Sequence, residues 1–121
     1  MALEVATARR DDLVIVTLSG ELDIYTVPGF RREMADVDPV ECALILDMAD
    51  VSLIDSSGLG ALVSLRSRAA NAGRRVGLAA PPSQVLRVLE ITGLRSTFTV
   101  AASVDAVLAA SLVIAPPAEE A

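Results

Sequence analysis

Apolar and polar residues alternate from the start of the chain. Leu3, Val5 and Thr7 are separated by Glu4, Ala6 and Ala8, the two-residue period of a strand with one buried face. The run Leu13-Val14-Ile15-Val16-Thr17-Leu18 is rich in β-branched residues and almost wholly apolar. It predicts a second, more deeply buried strand. The charged stretch Arg9-Arg10-Asp11-Asp12 lies between them and reads as the turn of a hairpin.

The period then changes. Val27, Phe30, Met34 and Val37 recur at three- and four-residue steps, the signature of one helix face. Thr26 suits the N-cap, Pro28 is tolerated in the first turn, and Asp38-Pro39 is expected to end the helix. Ala43-Leu44-Ile45-Leu46-Asp47 predicts a short central strand buried on both faces. A second helix is expected to open at Asp55-Ser56-Ser57-Gly58, with Leu59, Leu62, Val63 and Ala70 on its inner face, Arg66 and Arg68 towards solvent, and Gly73 just past its end. Arg75 to Ala79 reads as a strand. Pro81-Pro82-Ser83 starts a third helix that buries Val85, Leu86 and Leu89 and stops at Thr92-Gly93. Phe98-Thr99-Val100 reads as a last short strand. Ser103 caps a fourth helix, with Asp105 in its first turn, where a negative charge suits the helix dipole. Val104, Val107, Leu108 and Leu112 form its inner face.

The resulting order, β-β-α-β-α-β-α-β-α, predicts an α/β domain with a mixed sheet flanked by about four helices. One domain over residues 1–114 accounts for the apolar content, and the Pro- and Glu-containing residues 115–121 read as a disordered tail.

Composition narrows the chemistry. The 121 residues are 53% hydrophobic, enough for a core without disulfide or metal support. Cys42 is the single cysteine and reads as a small half-buried hydrophobe. No histidine is present, which removes His-based metal sites and Ser-His-Asp or Cys-His catalysis. Formal net charge is −6 and every basic residue is an arginine. That balance argues against direct nucleic-acid binding, which needs clustered cations. Aromatics make up 2% of the chain, so there is no stacking platform for bases. No apolar run approaches a membrane span, and the first residues lack the apolar stretch of a signal peptide. A cytoplasmic protein without metal or cofactor is expected. Arg66, Arg68, Arg74 and Arg75 read as a solvated face.

The segment from Asp47 to Gly60 carries the most chemical interest. It reads as a strand end, a loop and a helix start, at the carboxyl end of a strand where α/β proteins meet ligands. Asp55-Ser56-Ser57-Gly58 is explained in part by helix capping, worth about 1 kcal/mol. Capping uses one serine and leaves Gly58 and Gly60 unexplained, since each weakens a helix by up to about 1 kcal/mol. Glycines at a helix start let another molecule approach the backbone closely. A serine nucleophile would need a base, and the chain has neither histidine nor lysine to supply one.

Gly20-Glu21-Leu22-Asp23, Asp55-Ser56-Ser57-Gly58-Leu59-Gly60 and Leu89-Glu90-Ile91-Thr92-Gly93-Leu94 resemble, in order and spacing, three signature segments of the STAS-domain anti-sigma factor antagonists. The resemblance spans about Leu3 to Ile114. It implies a small mixed α/β domain that binds an anti-sigma factor, commonly a serine kinase, and so frees a sigma factor for transcription. It implies that the kinase phosphorylates Ser56 and that a PP2C-type phosphatase reverses the mark. Ser57 would then be the cap or a supporting hydroxyl, and Asp23, Asp55, Ser57, Gly58 and Leu59 would form the partner-binding site around Ser56. Such a protein is non-catalytic and would be a monomer or a weak dimer. The alternative is a STAS module that binds a nucleotide or other ligand, or a partner switch outside sigma control, without phosphorylation.

Overall fold

The expected alternation of strands and helices is what the computed structural model contains; it describes residues 2–10, 13–37 and 43–113, with side chains to 110. Cys42, the Asp38-Pro39 stop, the tip of the hairpin at 11–12 and the 115–121 tail lie outside the described residues. The elements are β1 (Leu3–Arg10), β2 (Leu13–Leu22), α1 (Val27–Met34), β3 (Ala43–Ile54), α2 (Ser56–Ala70), β4 (Val76–Ala79), α3 (Ser83–Ile91), β5 (Thr99–Ala101) and α4 (Val104–Val113). A short 3₁₀ turn at Arg95–Thr97 leads into β5.

The five strands form one sheet in sequence order, β1-β2-β3-β4-β5. β1 pairs antiparallel with β2, and every other pair is parallel. Right-handed crossovers that keep advancing in one direction put their helices on one face of a sheet. The packing agrees. Val14, Val16, Leu18, Leu44, Leu46, Val76 and Leu78 point to the face that α1, α2 and α3 cover, where they meet Phe30, Met34, Leu62, Leu65, Val85 and Leu89. The opposite face carries a smaller core of Ile45, Ala79 and Val107, with Leu13, Ala101, Val104 and Leu108 against it. α4 alone covers it. Gly77 is a matching depression, because a Cβ there would lie 2.5 Å from Val107 Cγ1.

Four expectations change. β3 does not stop at Asp47 but continues to Ile54, so Asp55 alone separates strand from helix. Its pairing with β2 shifts between Thr17 and Ser19 and again between Gly20 and Glu21. Each shift inserts one residue in β3, and a bulge breaks the two-residue period that identifies a strand. Buried Met48 and Val51 stand three apart for this reason. In α2, the buried face is Gly58, Ala61, Leu62, Leu65 and Ala69. Of the residues expected on it, Leu62 is buried, Leu59 and Val63 are half-buried and Ala70 is exposed. α1 is also shorter than its periodicity suggested. It ends at Met34, and Val37 is buried from the following loop through a bond of its N–H to Met34 O at 3.0 Å. At the far edge, Arg75 is more than a solvated charge: it donates to Thr99 Oγ1 (3.0 Å) and Ser96 O (2.8 Å), fastening the 3₁₀ turn to β5.

Candidate functional site

Ser56 is the first residue of α2 and is exposed. Its hydroxyl has no hydrogen-bond partner among the described residues. The helix is capped one residue earlier. Asp55 adopts an extended conformation, and its Oδ1 accepts the Gly58 N–H at 3.0 Å. This corrects the expectation that a serine caps α2. A carboxylate two atoms from the chain reaches the third N–H of the helix well and places negative charge at the positive end of the dipole. The cap leaves the N–H groups of Ser56 and Ser57 without intrahelical acceptors, as in the first turn of any helix.

Asp55 also ties the site together. Its Oδ2 accepts the Ile24 N–H (3.1 Å), and its own N–H donates to Leu22 O (3.3 Å). The β2–α1 loop and the start of α2 are therefore one unit. Gly58 completes it. A Cβ at Gly58 would lie 2.3 Å from Leu22 O and 2.9 Å from the side chains of Leu22 and Ile54. Its missing side chain serves this internal contact, and Gly58 is buried. Gly60 faces open space, with nothing within 4 Å of an added Cβ.

Asp23 is 4% exposed. Its Oδ1 accepts the N–H groups of Tyr25 (2.9 Å) and Thr26 (3.0 Å). In return Thr26 Oγ1 accepts the Asp23 N–H (3.0 Å) and donates to Glu21 O (2.7 Å). The Thr26 side chain makes no cap bond to α1. It belongs to a reciprocal turn in which Asp23 supplies the carboxylate. The Asp23 charge is thus turned inward, where it shapes the loop that presents Ile24 and Tyr25. Gly20, from the same sequence segment, has φ +116 and an added Cβ would meet Ala2 O at 2.1 Å, so only glycine lets the start of β1 lie against it.

These contacts hold three large apolar residues in solvent: Ile24 (61% exposed), Tyr25 (78%) and Leu53 (40%). Sequence patterning assigned none of them a role. Tyr25, the one tyrosine of the chain, sits in a polar turn, and that was the available signal. Leu53 was hidden by the bulge beside it. Ile24, Tyr25 and Leu53 all lie on the segments flanking Asp55 and Ser56. Ser57 and Leu59 are half-buried on the first turn of α2. Ser56 thus presents an exposed hydroxyl, with exposed Leu53 three residues before it and exposed Ile24 bonded to the adjacent Asp55. The strand order never reverses, so the sheet lacks the crevice of a switch point in which α/β enzymes hold small ligands. The third sequence segment acts elsewhere. Leu89 enters the core, and α3 stops at Thr92-Gly93, where Leu94 N–H reaches back to Leu89 O at 2.8 Å. The described residues contain no cluster of acidic or thiol side chains suited to a metal. They contain no helix long and apolar enough to cross a membrane.

Comparison with known proteins gives a consistent result. The chain is 26% identical over 102 residues to the anti-sigma-B factor antagonist of Bacillus subtilis, covering 84% of this chain and 94% of that protein. An anti-sigma factor antagonist from Mycobacterium paratuberculosis has a similar structure, with TM-score 0.80, 25% identity, and coverage of 90% of this chain and 93% of that one. The Bacillus cell fate determinant SpoIIAA in its phosphorylated form superposes with TM-score 0.65 at 22% identity, over 90% and 99% of the two chains, and shares the fold. The STAS domain family matches residues 4–107, a span that runs from β1 into α4 and includes all three sequence segments, and the chain belongs to that family.

Proposed function

We propose that this protein is a non-catalytic anti-sigma factor antagonist that binds an anti-sigma factor with serine kinase activity and is switched off by phosphorylation of Ser56. The names of its relatives support the antagonist role. One observation carries the switch: an exposed, unbonded Ser56 hydroxyl at a helix N-terminus, with exposed Leu53 three residues before it and the exposed Ile24-Tyr25 pair on the loop that Asp55 holds through the Ile24 N–H. Aromatic and apolar side chains of this kind anchor protein partners. Ser57 and Leu59 extend the contact surface along α2. Asp23, Asp55 and Gly58 act from beneath, by fixing the loop.

The phosphate would act at the interface and not on the fold. It brings a charge of about −1.5 to −2 at neutral pH. A helix N-terminus tolerates that charge, because the dipole and the free N–H groups of the first turn favour anions. A partner surface fitted to a neutral hydroxyl would instead face unpaired charge beside Asp55. Such a mismatch costs several kcal/mol, and about 4 kcal/mol weakens binding a thousandfold. A PP2C-type phosphatase would restore the active form.

The test is incubation with ATP and the anti-sigma kinases of the source organism, followed by intact-mass measurement and binding titration. One phosphoryl group should be gained, Ser56→Ala should abolish it, and the modified protein should bind its kinase at least about 100-fold more weakly. The thermal midpoint should move by less than about 3 °C, the effect of well under 1 kcal/mol in a domain of this size. Binding without modification would keep the antagonist role and remove the switch. Neither binding nor modification would overturn both.

A further inference from the structure

The edge of the sheet carries a second recognition surface. β1 is an outer strand of eight residues, with an uninterrupted register from Leu3↔Gly20 to Arg10↔Leu13. It contains no proline or bulge, two of the devices that keep an open edge from pairing, and its charged residues Glu4, Arg9 and Arg10 are of both signs. Ala2 O accepts the Glu21 N–H at 3.1 Å, and Ala2 stands opposite Glu21 by the same register. In an antiparallel ladder, alternate residues direct both backbone groups to the partner strand. Glu4, Ala6, Ala8 and Arg10 therefore face β2 with their peptide groups, and Leu3, Val5, Thr7 and Arg9 present theirs outward.

We propose that this edge pairs with β1 of a second copy of the chain, antiparallel and centred on Thr7, to make a continuous ten-stranded sheet. A two-fold axis perpendicular to the sheet keeps like faces together, so only residues of the same face can stand opposite one another. With Thr7 on the axis, Thr7 exchanges both backbone bonds with Thr7 of the partner subunit. Val5 does the same with Arg9 of the partner subunit. Ala6 stands opposite the partner's Ala8, and Glu4 opposite the partner's Arg10. The last pair occurs twice and is oppositely charged, the favourable case for directly opposed residues. Thr opposite Thr is favourable for the same reason.

An independent feature fits this register. A groove of about 380 Å³ runs between β1 and α1, lined by Leu3, Val5, Phe30, Arg32 and Glu33 among others. Pairing Val5 with the partner's Arg9 puts that guanidinium on the groove side of the sheet, next to Glu33. Within the monomer, Glu4, Arg9, Arg10 and Glu33 are exposed and make no ion pair among the described residues. The charges on the edge are thus complementary to a second copy of the same edge. The two-fold axis also reverses the strand direction. The two Ser56 sites, at the carboxyl ends of the strands, then lie at opposite ends of the assembly and both stay open.

Sedimentation equilibrium tests the pairing. The full chain should show a concentration-dependent mass approaching twice that of the monomer. Glu4→Arg and Arg10→Glu should each raise the dimer dissociation constant at least tenfold, and the double variant should recover it. Thr7→Pro removes an outward N–H and no bond to β2, so it should yield a folded monomer by circular dichroism. If that variant fails to fold, the charge-exchange set decides alone. A wild-type chain that stays monomeric to about 1 mM would overturn the proposal. So would a dimer indifferent to the charge exchange.

Discussion

Gly58 and Gly60 stand two residues apart in one helix, yet their surroundings give them opposite sensitivities. A methyl group at Gly58 would collide with Leu22 O, a backbone atom in the core that cannot easily withdraw. Gly58→Ala is expected to destabilise the domain by about 1–3 kcal/mol, the range for overpacking. Gly60→Ala meets nothing and should stabilise it by up to about 1 kcal/mol through helix propensity and a restricted unfolded chain. Urea denaturation of both variants checks the contrast, and equal effects would refute it. In sequence the two glycines look alike, since a glycine records only that a side chain is absent. What that absence serves depends on the neighbours: in Gly58 it admits Leu22, and in Gly60 it leaves the first turns of α2 open.

Among the elements, the β2–α1 loop and the start of α2 depend on one carboxylate. Asp55 takes the N–H groups of Gly58 and Ile24, so Asp55→Ala should cost about 1–2 kcal/mol in global stability, the value of a lost cap and an orphaned donor. It should also raise amide exchange at Ile24 and Gly58 selectively. Exchange that rises uniformly along the chain would mean that the link is not local. The element types were largely legible: the hairpin from its alternating and continuous apolar runs, α1 and α3 from their periodic faces, the α4 cap from Ser103, whose Oγ accepts the Ala106 N–H at 3.0 Å. The second half of β3 was not. Its two bulges shift the inward positions from spacing two to spacing three, so Met48-Ala49-Asp50-Val51-Ser52-Leu53 carries no strand period. Only the parallel register with β2 defines it as strand. Gln84 strengthens that segment from α3 by donating to Ser52 O.

For the molecule as a whole, the sheet separates a large core under α1, α2 and α3 from a small one under α4. Stability is unequal on the two sides, and small packing units open at lower free energy than the main core. Gly77→Val, whose side chain would strike Val107, should release α4 first. The expected result is loss of exchange protection in Val104 to Ala110 while β2, β3 and α2 stay protected; simultaneous loss everywhere would show a single cooperative unit. The sequence by itself determined the order of elements, the apolar faces, the absence of histidine chemistry and the three segments by which the chain resembles its family. Those properties follow from local periodicity and residue type. Tertiary structure decided that Asp55 and not a serine caps α2, that Asp23 is turned inward, that Gly58 is filled by Leu22 and that Ile24, Tyr25 and Leu53 remain in solvent. The Asp55 cap and the Asp23 turn span only two or three residues, but which of several adjacent cap formers takes the bond depends on the backbone conformation that the fold imposes. The contacts of Asp55 with Ile24 and of Gly58 with Leu22 join residues more than 30 positions apart, and periodicity along a chain holds no information about which distant segment will come to lie against it.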